Sequence, residues 1–157
     1  MKVDREPLRN RFQTANRIKS LVRNYSTDLD DIYVQRQGLN GETVPLSALG
    51  LDEMFDYVRR LPYQADPKPK EIVSRPCHLF SGRFQGIDCK KKTVLMASWA
   101  KRNGVPYRFI GSSQREDQKV HHIFPQFKID GHWINADATY PDYRIGESKE
   151  LTFAEVL

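Results

Sequence analysis

An α+β fold is expected from the way the sequence divides. Three stretches within residues 8–103 place apolar side chains at helical steps of three and four, whereas residues 105–137 break into short strand-length pieces. Between the last two pieces stands Asp130-Gly131, a strong two-residue hairpin signal. With 157 residues, 39% of them hydrophobic and 11% aromatic, the chain suits one domain with a sizeable core, and a disordered chain would carry fewer aromatics.

The first helix is expected over residues 8–25, where Leu8, Phe12, Ala15, Ile18, Leu21 and Val22 share a face. Residues 26–31 are polar and turn-like, and residues 32–34 read as a short strand before the turn signals at Gly38 and Asn40-Gly41. A second helix is expected over 47–61, with Leu51, Met54, Phe55, Val58 and Leu61 on one face and Pro62 ending it. Asp66-Pro67-Lys68-Pro69-Lys70 fits neither a helix nor a central strand and reads as a surface connector. Asp88 is placed to cap a third helix over 89–103, which Gly104 stops. Strands are expected over 105–110, 119–129 and 132–137.

Charge and cysteine usage narrow the function classes. Residues 1–24 hold seven basic side chains against two acidic ones, and the rest of the chain balances, so the net charge of +5 belongs to an N-terminal arm. A solvated helix face is the preferred reading of that arm, ahead of a protein-docking helix or a nucleic-acid contact, and nucleic acid is not an expected partner. Two cysteines exclude a disulfide-rich scaffold. No apolar run is long enough for a membrane helix and no hydrophobic stretch near Met1 suits a signal peptide, so a cytoplasmic protein is expected.

Cys89 falls in the first turn of the third predicted helix, where unpaired backbone N–H groups and the helix dipole favour a thiolate, and Lys90, Lys91 and Lys92 push the same way. Such a nucleophile needs an imidazole beside it. The Asp130-Gly131 hairpin carries His121, His122 and Asp137. With those two loop residues, Ile129 faces His132 and Asp137 falls opposite Phe124. His122 then lies on the face of Asp137 as a diagonal neighbour, and His121 points the other way. A bulge at Pro125 would reverse that parity and favour His121.

These residues bring a family resemblance into view. Gly86-Ile87-Asp88-Cys89, followed by Thr93-Val94-Leu95-Met96-Ala97-Ser98-Trp99 and Asn103-Gly104-Val105-Pro106-Tyr107-Arg108, resembles the nucleophile block of the transglutaminase-like superfamily. His122-Ile123-Phe124, then Asp130-Gly131-His132-Trp133-Ile134 and Asp137-Ala138-Thr139, is similar to its histidine strand and its Trp-x-x-x-Asp-x-Thr strand. Leu61-Pro62-Tyr63-Gln64-Ala65-Asp66, with Glu71 and Pro76, resembles the leader of small bacterial and phage-encoded members. The resemblance covers residues 54–141 and implies a papain-like transglutaminase core, with a nucleophile helix packed on an antiparallel sheet. Residues 51–157 would form that core and residues 1–50 a basic helix and extension. Cys89 would attack an amide or acyl carbonyl, His122 would move the proton and Asp137 would orient His122. Many members have Ala-Trp after the histidine and Pro after the aspartate. Here Ile123-Phe124 and Ala138 stand in those places, which bears on substrate preference.

Gln85 is the first candidate for a second oxyanion donor, followed by Gln64 and Tyr63. Zinc held by Cys77, His78, Cys89 and His121 or His122 is disfavoured, because eleven residues separate Cys77 from the next cysteine-side ligand rather than the usual two to four. A Cys77–Cys89 disulfide would silence the nucleophile and does not suit a cytosolic setting. Trp99 and Trp133 read as core or near-site residues, and Arg59-Arg60 and Lys90-Lys91-Lys92 as solvated helix faces. No cofactor is implied, and no loop resembles a calcium-binding EF-hand. The expected function is cysteine-based acyl transfer on a peptide or protein substrate, with peptide or isopeptide hydrolysis ahead of crosslinking. The alternative is a non-catalytic structural or binding component, for example of a phage particle, whose N-terminal helix docks on a protein partner.

Overall fold

The computed structural model describes residues 11–38, 40–64, 73–80, 86–113, 120, 122–147 and 153–157. Gln85, His121 and the whole 66–72 connector lie outside the described residues, as does the expected start of the first helix.

Helix α1 (Arg11–Tyr25) buries Thr14, Ala15, Ile18 and Val22, the three- and four-residue stripe that drives its docking. Phe12 departs from the expected face and is 51% exposed. A 3₁₀ turn (Ser26–Asp30) follows, and its Asp28 carboxylate accepts two hydrogen bonds from Arg75, at 2.9 and 2.7 Å, and one from the Cys77 N–H. That cluster fixes the short helix α3 (Pro76–Leu79) against the 3₁₀ turn. Strands β1 (Tyr33–Gln35) and β2 (Thr43–Pro45) pair antiparallel as a separate ribbon.

Helix α2 spans Leu51–Arg60, four residues shorter at its start than expected. The reason is local. Leu46–Ala48 form a 3₁₀ turn, and Gly50 is extended, with its N–H donated to the Glu53 carboxylate at 3.1 Å. Its end is as the proline requires, because Leu61 before Pro62 takes the extended conformation.

Helix α4 (Cys89–Arg102) is the centre of the molecule, with every residue from Cys89 to Ala100 buried. One side packs on Met54, Phe55 and Val58 of α2 and on Phe127, whose ring stacks 6.1 Å from Trp99. Trp99 also donates its indole N–H to the Leu49 carbonyl at 2.8 Å, which makes it a core residue. The other side packs Val94 and Ala97 on Ala15, Ile18 and Val22 of α1 and on Phe109 and Ile123. Burying side chains of the Ile18 and Val22 kind stabilises by about 1.5–3 kcal/mol each, which is enough to hold α1 on the core.

The main sheet is antiparallel in the order β5-β4-β3-β6, from β3 (Tyr107–Ser113), β4 (His122–Ile129), β5 (His132–Asn135) and β6 (Phe153–Val156). The hairpin turns on Asp130 (φ 51°) and Gly131 (φ 79°), both left-handed, and sets Ile129 opposite His132. Strand β6 was not anticipated: it is a four-residue edge strand that alternates half-buried and exposed residues. The antiparallel α+β architecture agrees with the expected class. Among the described residues no helix is long and apolar enough to cross a membrane.

Candidate active site

Cys89 opens α4 and is 6% exposed. Asp88 caps the helix, accepting the Lys91 N–H on its side chain at 3.1 Å. The residues just before it are held by the chain leaving α2. Ile87 donates its N–H to the Pro62 carbonyl at 2.8 Å and accepts the Gln64 N–H at 3.3 Å, a parallel bridge between Tyr63 and Ile87. Gly86 permits that approach, since a Cβ there would stand 2.6 Å from the Pro62 oxygen.

The hairpin brings His122 and Asp137 together. The β3–β4 pairing runs without a break from Phe109 opposite Pro125 to Ser112 opposite His122. The Ala136 N–H donated to the Pro125 carbonyl at 2.9 Å carries the register one step past β5, so Pro125 makes no bulge. His122 Nε2 lies 2.7 Å from Asp137 Oδ2. The same imidazole is hydrogen-bonded to the Cys89 side chain, and with Nε2 taken, Nδ1 is the nitrogen left for sulfur. Asp137 is 3% exposed, and its Oδ1 accepts the Thr139 N–H at 3.1 Å. The Thr93 hydroxyl donates to the Ile123 carbonyl at 3.2 Å and ties α4 to β4 beside the site.

Burial alone pulls the His122 pKa down, but the Asp137 charge and hydrogen bond, with the Cys89 contact, outweigh it and raise the value to about 9. Burial pushes the Asp137 carboxyl up, yet His122 and the Thr139 donors hold it below the usual range. The resting pair is therefore imidazolium beside carboxylate. Phe124 and Tyr140 flank the imidazole, with ring centroids 5.5 and 5.9 Å away, and Tyr143 packs on Tyr140 at 4.7 Å.

The lysines of the first turn are not solvated, contrary to expectation. Lys90, Lys91 and Lys92 are 6%, 1% and 2% exposed. Lys90 is ion-paired with Asp88, and Lys92 donates to the carbonyls of Arg59, Ala138 and Thr139 at 3.3–3.4 Å. The one hint in the sequence is that Lys92 shares a helical stripe with Met96 and Trp99, and the run of three lysines outweighs it. Tyr140 was also missed, as the residues after Asp137-Ala138-Thr139 carry no periodicity.

Neither Cys77 nor Cys89 is in a disulfide. Among the described residues no three His, Cys, Asp or Glu side chains gather as metal ligands would. Trp133 lies on the sheet away from these groups, under the Arg108 guanidinium at 4.2 Å.

The sequence profile of the transglutaminase-like superfamily core matches residues 33–138, about two thirds of the chain. The chain belongs to the transglutaminase-like superfamily. Cysteine-based acyl transfer and peptide hydrolysis are the general chemistry of that superfamily. No curated protein and no solved structure matched in the other two comparisons. The matched span of this transglutaminase-like chain contains Cys89, His122 and Asp137 together with the Pro62–Gln64 strap.

Proposed function

We propose that this transglutaminase-like domain is a cysteine acyl-transfer enzyme whose reaction is hydrolysis of a peptide or isopeptide bond. The observation that carries this reading is the hydrogen-bonded run from the Cys89 sulfur through His122 to Asp137. The Cys89 sulfur, whose proton His122 holds, attacks the amide carbonyl, and the imidazolium of His122 gives that proton to the departing amine. Water then attacks the thioester, His122 takes a proton from it, and the thiolate leaves. A lysine amine in place of water would give a crosslink by the same steps. Asp137 stays ionised throughout and holds Nε2–H, so that Nδ1 faces the sulfur and carries the proton that moves.

The start of α4 also suits the oxyanion, because the positive end of the helix faces the carbonyl that Cys89 attacks. Gln64 stands on the strap against Ile87 and is a donor candidate from the described residues. Gln85 keeps that candidacy from its position four residues before the nucleophile.

The test is the pH dependence of Cys89 alkylation by a neutral reagent, in Cys77→Ser and in Cys77→Ser with His122→Ala. An ordinary thiol titrates near 8.5, and one paired with histidine well below 7. The expected result is alkylation that persists into acid in the parent and retreats upward by about one pH unit or more without His122. Coincident curves with high midpoints would overturn the proposal and turn attention to a non-catalytic role.

A further inference from the structure

Lys92 sits one turn beyond Cys89 and is 2% exposed, on the stripe that Met96 and Trp99 fill with apolar groups. An apolar side chain would satisfy packing there without the cost of desolvating a cation. The ammonium has three N–H donors, and three carbonyls receive them: Arg59 at 3.4 Å, Ala138 at 3.3 Å and Thr139 at 3.4 Å. Two of these belong to the loop immediately after Asp137. The third ends α2.

From the nucleophile helix a continuous set of bonds thus runs to the imidazole. Lys92 holds the carbonyls of Ala138 and Thr139, the Thr139 N–H holds Asp137 Oδ1, and Asp137 Oδ2 meets His122 Nε2. We propose that Lys92 is a positioning residue of the Cys89–His122–Asp137 site, a tripod that fixes the aspartate loop to the helix carrying the nucleophile. The inference deepens the acyl-transfer reading and rests on it for its functional meaning. The charged groups facing the ammonium are Cys89 on its own helix, Arg59 on α2 and Asp137 on the loop. Arg59 itself is engaged by Asp56 and the Pro141 carbonyl. Burial draws the Lys92 pKa down to about 8, with Asp137 opposing, Arg59 assisting and Cys89 opposing, which agrees with a cation close to the carboxylate and the sulfur.

The test follows the His122 imidazole by NMR titration of histidine-labelled protein, with the signal assigned through His122→Gln. Lys92→Met is expected to lower the His122 midpoint from about 9 by about one unit or more toward its ordinary 6.5, because the carboxylate loses its fixed position. Lys92→Arg, which keeps a multidentate cation, is expected to restore most of the shift. Simple removal of a nearby positive charge would raise the midpoint, so an unchanged or raised value in Lys92→Met overturns the inference. If Lys92→Met does not fold, Lys92→Gln is read by the same criterion. Cys89 alkylation in the same samples separates the two claims. A lowered His122 midpoint beside a parent thiol that reacts only at high pH sinks the acyl-transfer reading and leaves the tripod standing. A parent thiol reactive in acid beside an unmoved midpoint does the reverse.

Discussion

At the scale of single residues, Asp137 decides what His122 is at neutral pH. Without a carboxylate on Nε2, burial would leave a neutral ring unable to give a proton to a leaving amine. Asp137→Asn keeps the shape and removes the charge. The His122 midpoint is expected to fall below 7 and peptide turnover to drop by about 10³–10⁴-fold, read by NMR titration and single-turnover kinetics. The partnership of His122 and Asp137 was legible in the sequence because a two-residue turn fixes register, and register fixes which side chains share a face. Lys92 was not legible as a buried group. A run of three lysines outweighed the apolar stripe into which one of them falls, and nothing in a linear sequence shows three carbonyls waiting for it.

At the scale of elements, α4 was easy to read: Asp88 and Gly104 mark its ends, and the apolar run Val94-Leu95-Met96-Ala97 with Trp99 lies between them. The start of α2 was harder. A 3₁₀ turn and an α-helix share their apolar spacing over so few residues, and Gly50 carried the break. Strand β6 escaped because Ala154 and Glu155 favour helix on their own, and only pairing with β3 makes the segment extended. The Pro62–Gln64 strap is likewise a tertiary contact, and Gly86 is its sequence signature. Gly86→Ala would drive a Cβ against the Pro62 carbonyl, where backbone on both sides must move. Urea unfolding is expected to show a loss of about 1–3 kcal/mol. Cys89 alkylation at pH 6 should slow in the fraction that remains folded, because the displaced segment leads directly into the nucleophile turn.

At the scale of the whole molecule, the buried His122–Asp137 pair links pH to stability through proton counts. A histidine raised to about 9 stabilises the fold fully below its ordinary 6.5, and that contribution is lost as pH rises through 9. Between pH 6.5 and 7.5 the folded chain therefore keeps a proton on His122 that the unfolded chain loses, and stability falls as pH rises. Lys92, drawn down to about 8, begins to matter only above this window. Stability from urea unfolding is expected to fall by about 1 kcal/mol across that unit in the parent. Asp137→Asn removes the charge that raises His122, so its stability should stay nearly flat over the same unit. A parent as flat as Asp137→Asn would mean that Asp137 does not hold His122 protonated, and the imidazolium that the proposed reaction needs would be missing.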